Sequence, residues 1–195
     1  MRNVILIIAT LAVLSAAPGC RARPAPPARP RAADAERGVL DVDPAQAARE
    51  VLETVPLDGR LRKVKARGAL RVGLPAAREP FQTQHPDLGR PVGFNVALAE
   101  QLAKVLNTEA SVAFLPGNTA PSAWADNFDI VFQEPGMNLC AGKQAIPYFL
   151  LPESRQWLTI CVAGADPSLE QAVRNTLDWF VETGVFTYLY TEYFP

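Results

Sequence analysis

The sequence predicts a single three-layer α/β domain with a mainly parallel sheet. From Arg67 onward, short apolar runs of strand length alternate with longer stretches of helical period, which is the pattern of strands joined by covering helices. Hydrophobic content of 49% with 20% charged residues over 195 positions suits one buried core and excludes a disordered chain. The helical stretches are also punctuated: Asp43-Pro44 and Asp166-Pro167 read as N-caps followed by proline, and Gly68 and Gly184 as stops.

Four segments follow along the chain. Residues 1–19 read as an export signal. Arg2 precedes an apolar run, Val4–Leu14, too short for a bilayer span of about 20 residues. Small residues then lead to Cys20, the arrangement of a lipoprotein signal cleaved before a cysteine that takes the lipid. An ordinary cleaved signal with an incidental cysteine is the other reading. Residues 20–42, rich in proline, arginine and alanine, form an extended tether that cannot bury a core. Residues 43–66 carry two helices, the first with Ala47, Val51, Leu52 and Val55 at helical spacing, the second over Leu57–Ala66. Residues 67–195 are the α/β lobe.

Within the lobe, Ala69–Leu74 is strand one and Phe94–Leu106 an amphipathic helix with Phe94, Leu98, Leu102 and Val105 on one face. Ala110–Leu115, Phe128–Phe132 and Trp157–Ala163 are the next three strands. A long helix opens at Asp166-Pro167 with Leu169, Val173, Leu177 and Phe180 as its apolar face. Phe186, Leu189, Tyr190, Tyr193 and Phe194 make one more amphipathic set.

The chemistry is that of binding, and no catalytic residue, metal ligand or cofactor is expected. His85 is the only histidine, which argues against a triad or a histidine metal site, and neither common phosphate-loop spacing occurs. A net charge of -1 gives no field for nucleic acid. The loops after strands one and three leave the same sheet edge, where open α/β sheets bind ligands. They carry Phe81, in Glu79-Pro80-Phe81, and Glu134-Pro135-Gly136-Met137-Asn138. Phe81, expected to be exposed, either meets a solute or packs over the sheet end. Asn138 either binds or caps, and Glu134 is expected to be structural or solvated unless a cleft surrounds it. Cys140 and Cys161 remain after Cys20, either as one disulfide or as two buried thiols.

KVKARGALRVGL at Lys63–Leu74, EPF at Glu79–Phe81, GFNVALAEQLAKVL at Gly93–Leu106, FDIVFQEPGMN at Phe128–Asn138, IPYF at Ile146–Phe149 and the closing stretch Gly164–Phe194 occur in one order. In that order they resemble the bacterial extracellular solute-binding proteins of family 3, the polar amino acid type with the type II periplasmic binding fold. The resemblance implies lobe one of a two-lobed binder that delivers a small polar solute to an ABC importer. Phe81 would stack on the solute. Asn95 stands where the family has aspartate, Cys140 near its threonine, and Lys143 near the arginine that grips the solute carboxylate. A lysine keeps the charge but not the planar fork. The candidate ligand-binding set is therefore Phe81, Asn95, Glu134, Gly136, Asn138, Cys140 and Lys143.

The family pattern also requires a second lobe after Pro147-Tyr148. Only 17 residues, 149–165, separate that motif from Asp166, where a lobe needs on the order of 100. The expectation is a truncated relative whose remaining wall faces solvent, another envelope protein such as an ABC permease, or a second copy of itself. Its function is then solute binding that is reduced or partner-dependent, in the periplasm, on a lipid anchor. The alternative is an envelope interaction module that has lost its ligand.

Overall fold

The computed structural model describes residues 43–117, 123–140 and 145–194. Residues 1–42, with the signal, Cys20 and the tether, lie outside them, as does Lys143.

Helix α1 spans Pro44–Leu52. Asp43 accepts a hydrogen bond from the Ala45 N–H (2.9 Å), and Pro44 fills the first turn, where a missing N–H costs nothing. Helix α2 spans Gly59–Arg67 and stops at Gly68, whose left-handed conformation ends it one residue before strand β1, Ala69–Leu74. A two-residue hairpin follows, β2 (Thr83–Gln84) with β3 (Pro91–Val92), and then helix α3, Phe94–Val105. Strands β4 (Glu109–Phe114), β5 (Ile130–Gln133), β6 (Ala145–Leu150) and β7 (Trp157–Val162) complete the sheet. Helices α4 (Pro167–Glu182) and α5 (Val185–Tyr193) close the chain.

The sheet order is β4-β1-β5-β7-β6. Strand β1 pairs parallel with β4 and β5, and β7 pairs antiparallel with both β5 and β6, so four strands point one way and β7 is the exception. Strand β6 was not anticipated, because Pro147 interrupts its run. At the sheet edge, beside a bulge between Pro147 and Phe149, the missing donor is tolerated.

Side-chain alternation divides the core. Leu70, Val72, Leu74, Ile130, Phe132, Ile160 and Val162 join a large cluster fed by every α-helix described. Val131 and Cys161 point the other way into a smaller cluster with Trp124, Leu139 and Cys140. Among the described residues, the third layer on that face is loop and a 3-10 turn, Trp124–Asp126, in place of α-helix. Cys140 and Cys161 form a disulfide there, with Cα atoms 5.2 Å apart.

Asp166 ties the closing helix to the first part of the chain. One carboxylate oxygen caps α4 through the Leu169 N–H (2.9 Å), and the other accepts from the Arg60 N–H at the start of α2 (2.7 Å). A Cβ at Gly59 would stand 2.0 Å from that second oxygen, so only glycine lets the carboxylate reach α2.

Between β6 and β7 the chain makes a hairpin of six residues, Leu151–Gln156, closed by Leu151 N–H to Gln156 O at 2.9 Å. The implied second lobe has no room in that hairpin, and β7 leads straight into the closing helix.

Candidate functional site

The carboxyl ends of β1 and β5 carry the loop 75–82 and residues 134–140, and the two loops meet. Arg78 Nη1 donates to Glu134 Oε2 (3.2 Å), and the Arg78 guanidinium carbon lies 5.3 Å from the centre of the Phe81 ring. The other oxygen of Glu134 accepts from Gln82 Nε2 (3.0 Å), which also donates to the Ala76 carbonyl (3.0 Å). Gln82 Oε1 accepts from Asn95 Nδ2 (2.6 Å), and Asn95 Oδ1 from the Tyr148 hydroxyl (2.8 Å). The donors all point one way, from Tyr148 in the core to the Glu134 carboxylate at the edge. A chain so aligned polarises each of its bonds in the same sense.

Burial grades along this chain. Gln82, Asn95 and Tyr148 are buried, whereas the side chains of Glu134 and Arg78 retain 24% and 37% exposure. Burial is the main reason the Tyr148 phenol is held well above its ordinary range, against the opposing hydrogen bond to Asn95. Tyr148 therefore stays a protonated donor at neutral pH. An aspartate at position 95 could not donate to Gln82, which gives asparagine there a physical reason.

One expectation of exposure is corrected. Phe81 is 4% exposed, packed near Phe94, Phe149 and Phe194 at ring-centre distances of 6.2, 5.2 and 5.2 Å. The closing helix α5 brings Phe194 over this end of the sheet, so Phe81 is not the open stacking surface its loop position suggests. Asn95 is 1% exposed and fully engaged. The start of α3 is likewise occupied: Phe94 and Asn95 N–H donate to the Pro80 and Phe81 carbonyls (3.1 and 2.8 Å). That approach requires Gly93, at φ +123°, where a Cβ would come within 2.7 Å of the Phe81 oxygen.

Phe81, Asn95 and Glu134 are thus brought together, joined by Arg78 and Gln82. Gly136 and Asn138 stand apart on an exposed part of the second loop, with Gly136 at φ +86°. Cys140 lies on the opposite face of the sheet, in the disulfide, with no thiol to offer a solute. Its loop is held by Gln133, whose Oε1 accepts from the Leu139 and Cys140 N–H groups (2.6 and 3.1 Å). Sequence reasoning missed Arg78, Gln82 and Tyr148; the only available signal was their closeness to the Pro-Phe and Pro-Tyr motifs. An open concavity of about 980 Å³ along α1, bordered by Asp43, Glu50 and Asn107, includes none of the candidate residues.

No family model matches the chain. Over 55 residues it is 51% identical to the L-cystine-binding protein TcyJ of Escherichia coli strain K12, a match spanning 28% of this chain and 20% of that protein. The chain thus aligns with only about a fifth of the length of the curated relatives it matches. The arginine-bound form of domain 1 from TmArgBP superposes with a TM-score of 0.50 at 25% identity, covering 60% of this chain and 97% of that one. An ancestral cationic amino acid solute-binding protein, AncCDT-1, superposes at 0.59 with 17% identity, covering 70% and 100%. The fold is that of one lobe of an amino-acid solute-binding protein. In this lobe the Arg78–Glu134 pair stands at the carboxyl ends of the parallel strands, where such a fold presents its ligand side.

Proposed function

We propose that this chain is a lipid-anchored solute-binding half-protein of the bacterial periplasm. It presents one wall of a binding cleft to a small polar amino acid or organic acid, and its affinity is low unless a partner supplies the other wall. The observation that carries this reading is the Arg78–Glu134 pair beside Phe81, at the carboxyl-end edge of a lobe with the fold of amino-acid solute-binding proteins. The pair offers an anion and a cation side by side, the complement of a zwitterion. Domain 1 of TmArgBP has an arginine-bound form, which supports solute capture by one lobe. An open half-site covers less than the 70–90% of a ligand that a closed pocket buries, so weak binding is expected. Delivery to an ABC permease and lipid attachment at Cys20 belong to the same proposal, as does a binding rather than catalytic role.

The test is calorimetry on the mature chain from Cys20 against cystine, the polar amino acids and small organic acids. Saturable binding weaker than about 10 µM, lost in Glu134→Gln, is expected. A folded monomer that gives no heat across the panel sinks the reading.

One observation favours the interaction-module alternative. Leu150 and Trp157 are cross-strand neighbours beside the β6–β7 hairpin, 45% and 51% exposed, where the resemblance places the missing lobe. If that surface serves self-association, sedimentation equilibrium shows a dimer that Trp157→Lys dissociates. A monomer at all concentrations removes the homodimer.

A further inference from the structure

A guanidinium is recognised by two groups together, a flat aromatic face and a carboxylate. Both are present at this edge, and a guanidinium already sits between them, supplied by the chain. We propose that Arg78 is a built-in occupant of a guanidinium seat formed by Phe81 and Glu134, and that it determines specificity by keeping cationic amino acids out. The proposal rests on reading this edge as a solute half-site and goes beyond it by naming the class of solute refused.

The seat is held independently of its occupant. Gln82, fully buried, fixes one oxygen of Glu134 and is itself pinned by the Ala76 carbonyl and Asn95. The Phe81 ring is fixed by its aromatic neighbours. The loop is also closed without the Arg78 side chain, since the backbones of Arg78 and Gln82 exchange two hydrogen bonds, at 2.7 and 2.9 Å. The occupant is the loosest part: the Arg78 side chain is 37% exposed and holds Glu134 by a hydrogen bond of 3.2 Å. At 5.3 Å from the ring centre its guanidinium is within the roughly 6 Å over which a cation and a ring attract. An incoming arginine would have to displace a group of its own chemistry that is present at far higher effective concentration.

The test titrates arginine, with uncharged citrulline as control, into the mature wild-type chain, Arg78→Ala and the double variant Arg78→Ala, Glu134→Gln. Arg78→Ala is expected to bind arginine at least about tenfold more tightly than wild type, the freed seat outweighing the lost cation, while citrulline, which loses the cation and cannot fill the seat, binds no better. The added Glu134→Gln removes the gain. Arg78→Met, which keeps an apolar stem over the ring, repeats the test if the alanine variant misfolds. An Arg78 variant with wild-type circular dichroism and melting that gains no arginine binding overturns the proposal. So does misfolding of both variants, since Arg78 would then be part of the fold rather than its occupant. A wild-type chain silent to every solute, with Arg78→Ala responding to arginine, removes the proposed function and leaves the seat standing.

Discussion

Strand β5 is bracketed by two carboxylates with opposite surroundings. Asp129, just before it, is 1% exposed by its side chain and meets three guanidinium groups. It accepts from Arg60 Nη1 (3.3 Å), Arg71 Nη2 (3.4 Å), the Arg71 backbone N–H (2.8 Å), and Arg67 Nη2. Glu134, just after the strand, is 24% exposed and accepts from Arg78 and Gln82. The first carboxylate has its lone pairs taken by groups from α2 and β1, so it ties chain segments together. The second keeps an open side at the ligand edge, so one of its partners can be exchanged. Charge alone does not separate a fold tie from a binding group; the number and rigidity of the partners do.

Asp129→Ala breaks the comparison at its stronger end. It leaves the Arg71 N–H without its acceptor and three cations facing one another. Removing one partner of a buried charge cluster costs about 3–5 kcal/mol, and the low end applies because the arginine side chains are 23–35% exposed. Urea unfolding should show this loss, while the solute response of the folded fraction stays unchanged. A loss below about 1 kcal/mol would mean that Asp129 is not the tie described.

What was legible in the sequence follows the same division. Strand β1 and helix α3 came out nearly residue for residue, because burial on one face imposes a period and Gly68 and Gly93 mark the ends. The caps at Asp43 and Asp166 were also readable, being local chemistry between neighbours. The site was legible only in part. Phe81 and Glu134 were singled out as candidates from their loops, but the guanidinium between them comes from Arg78, and nothing in a one-dimensional string shows that it folds back over a ring three residues on. The burial of Phe81 depends on Phe194, 113 positions later, a contact made by the closing helix rather than by any local rule. For Cys140 and Cys161 the distance between Cα atoms decides, and sequence carries no distances.

Tyr148→Phe probes the buried half of the chain that ends on Glu134. It leaves Asn95 Oδ1 without its donor in a buried site, at a cost of about 1–2 kcal/mol. The pH dependence is a sharper test. The folded phenol is held above its unfolded value, so the native state keeps a proton that the unfolded chain releases. Stability from this group is full below about pH 10 and falls as pH rises beyond it. Denaturation midpoints followed from pH 8 to 11 should decline more steeply for wild type than for Tyr148→Phe. Parallel curves would show that Tyr148 does not carry the alkaline loss.

Glu134→Gln sets the other end of the comparison, with the smallest expected effect on stability. The amide can still accept from Gln82 Nε2, and Arg78 can turn into solvent, so the lost pair is close to a surface ion pair worth about 0–1 kcal/mol. Solute binding should nevertheless disappear if the carboxylate is the anionic half of the proposed half-site. Stability and function would then separate in opposite ways at the two ends of β5: Asp129→Ala weakens the fold and spares binding by the folded fraction, and Glu134→Gln spares the fold and abolishes binding. If Glu134→Gln instead costs as much stability as Asp129→Ala, Glu134 is a second tie and the Arg78–Glu134 edge is no half-site. A stable Glu134→Gln variant that still binds its solute with wild-type affinity would move the site away from this pair altogether.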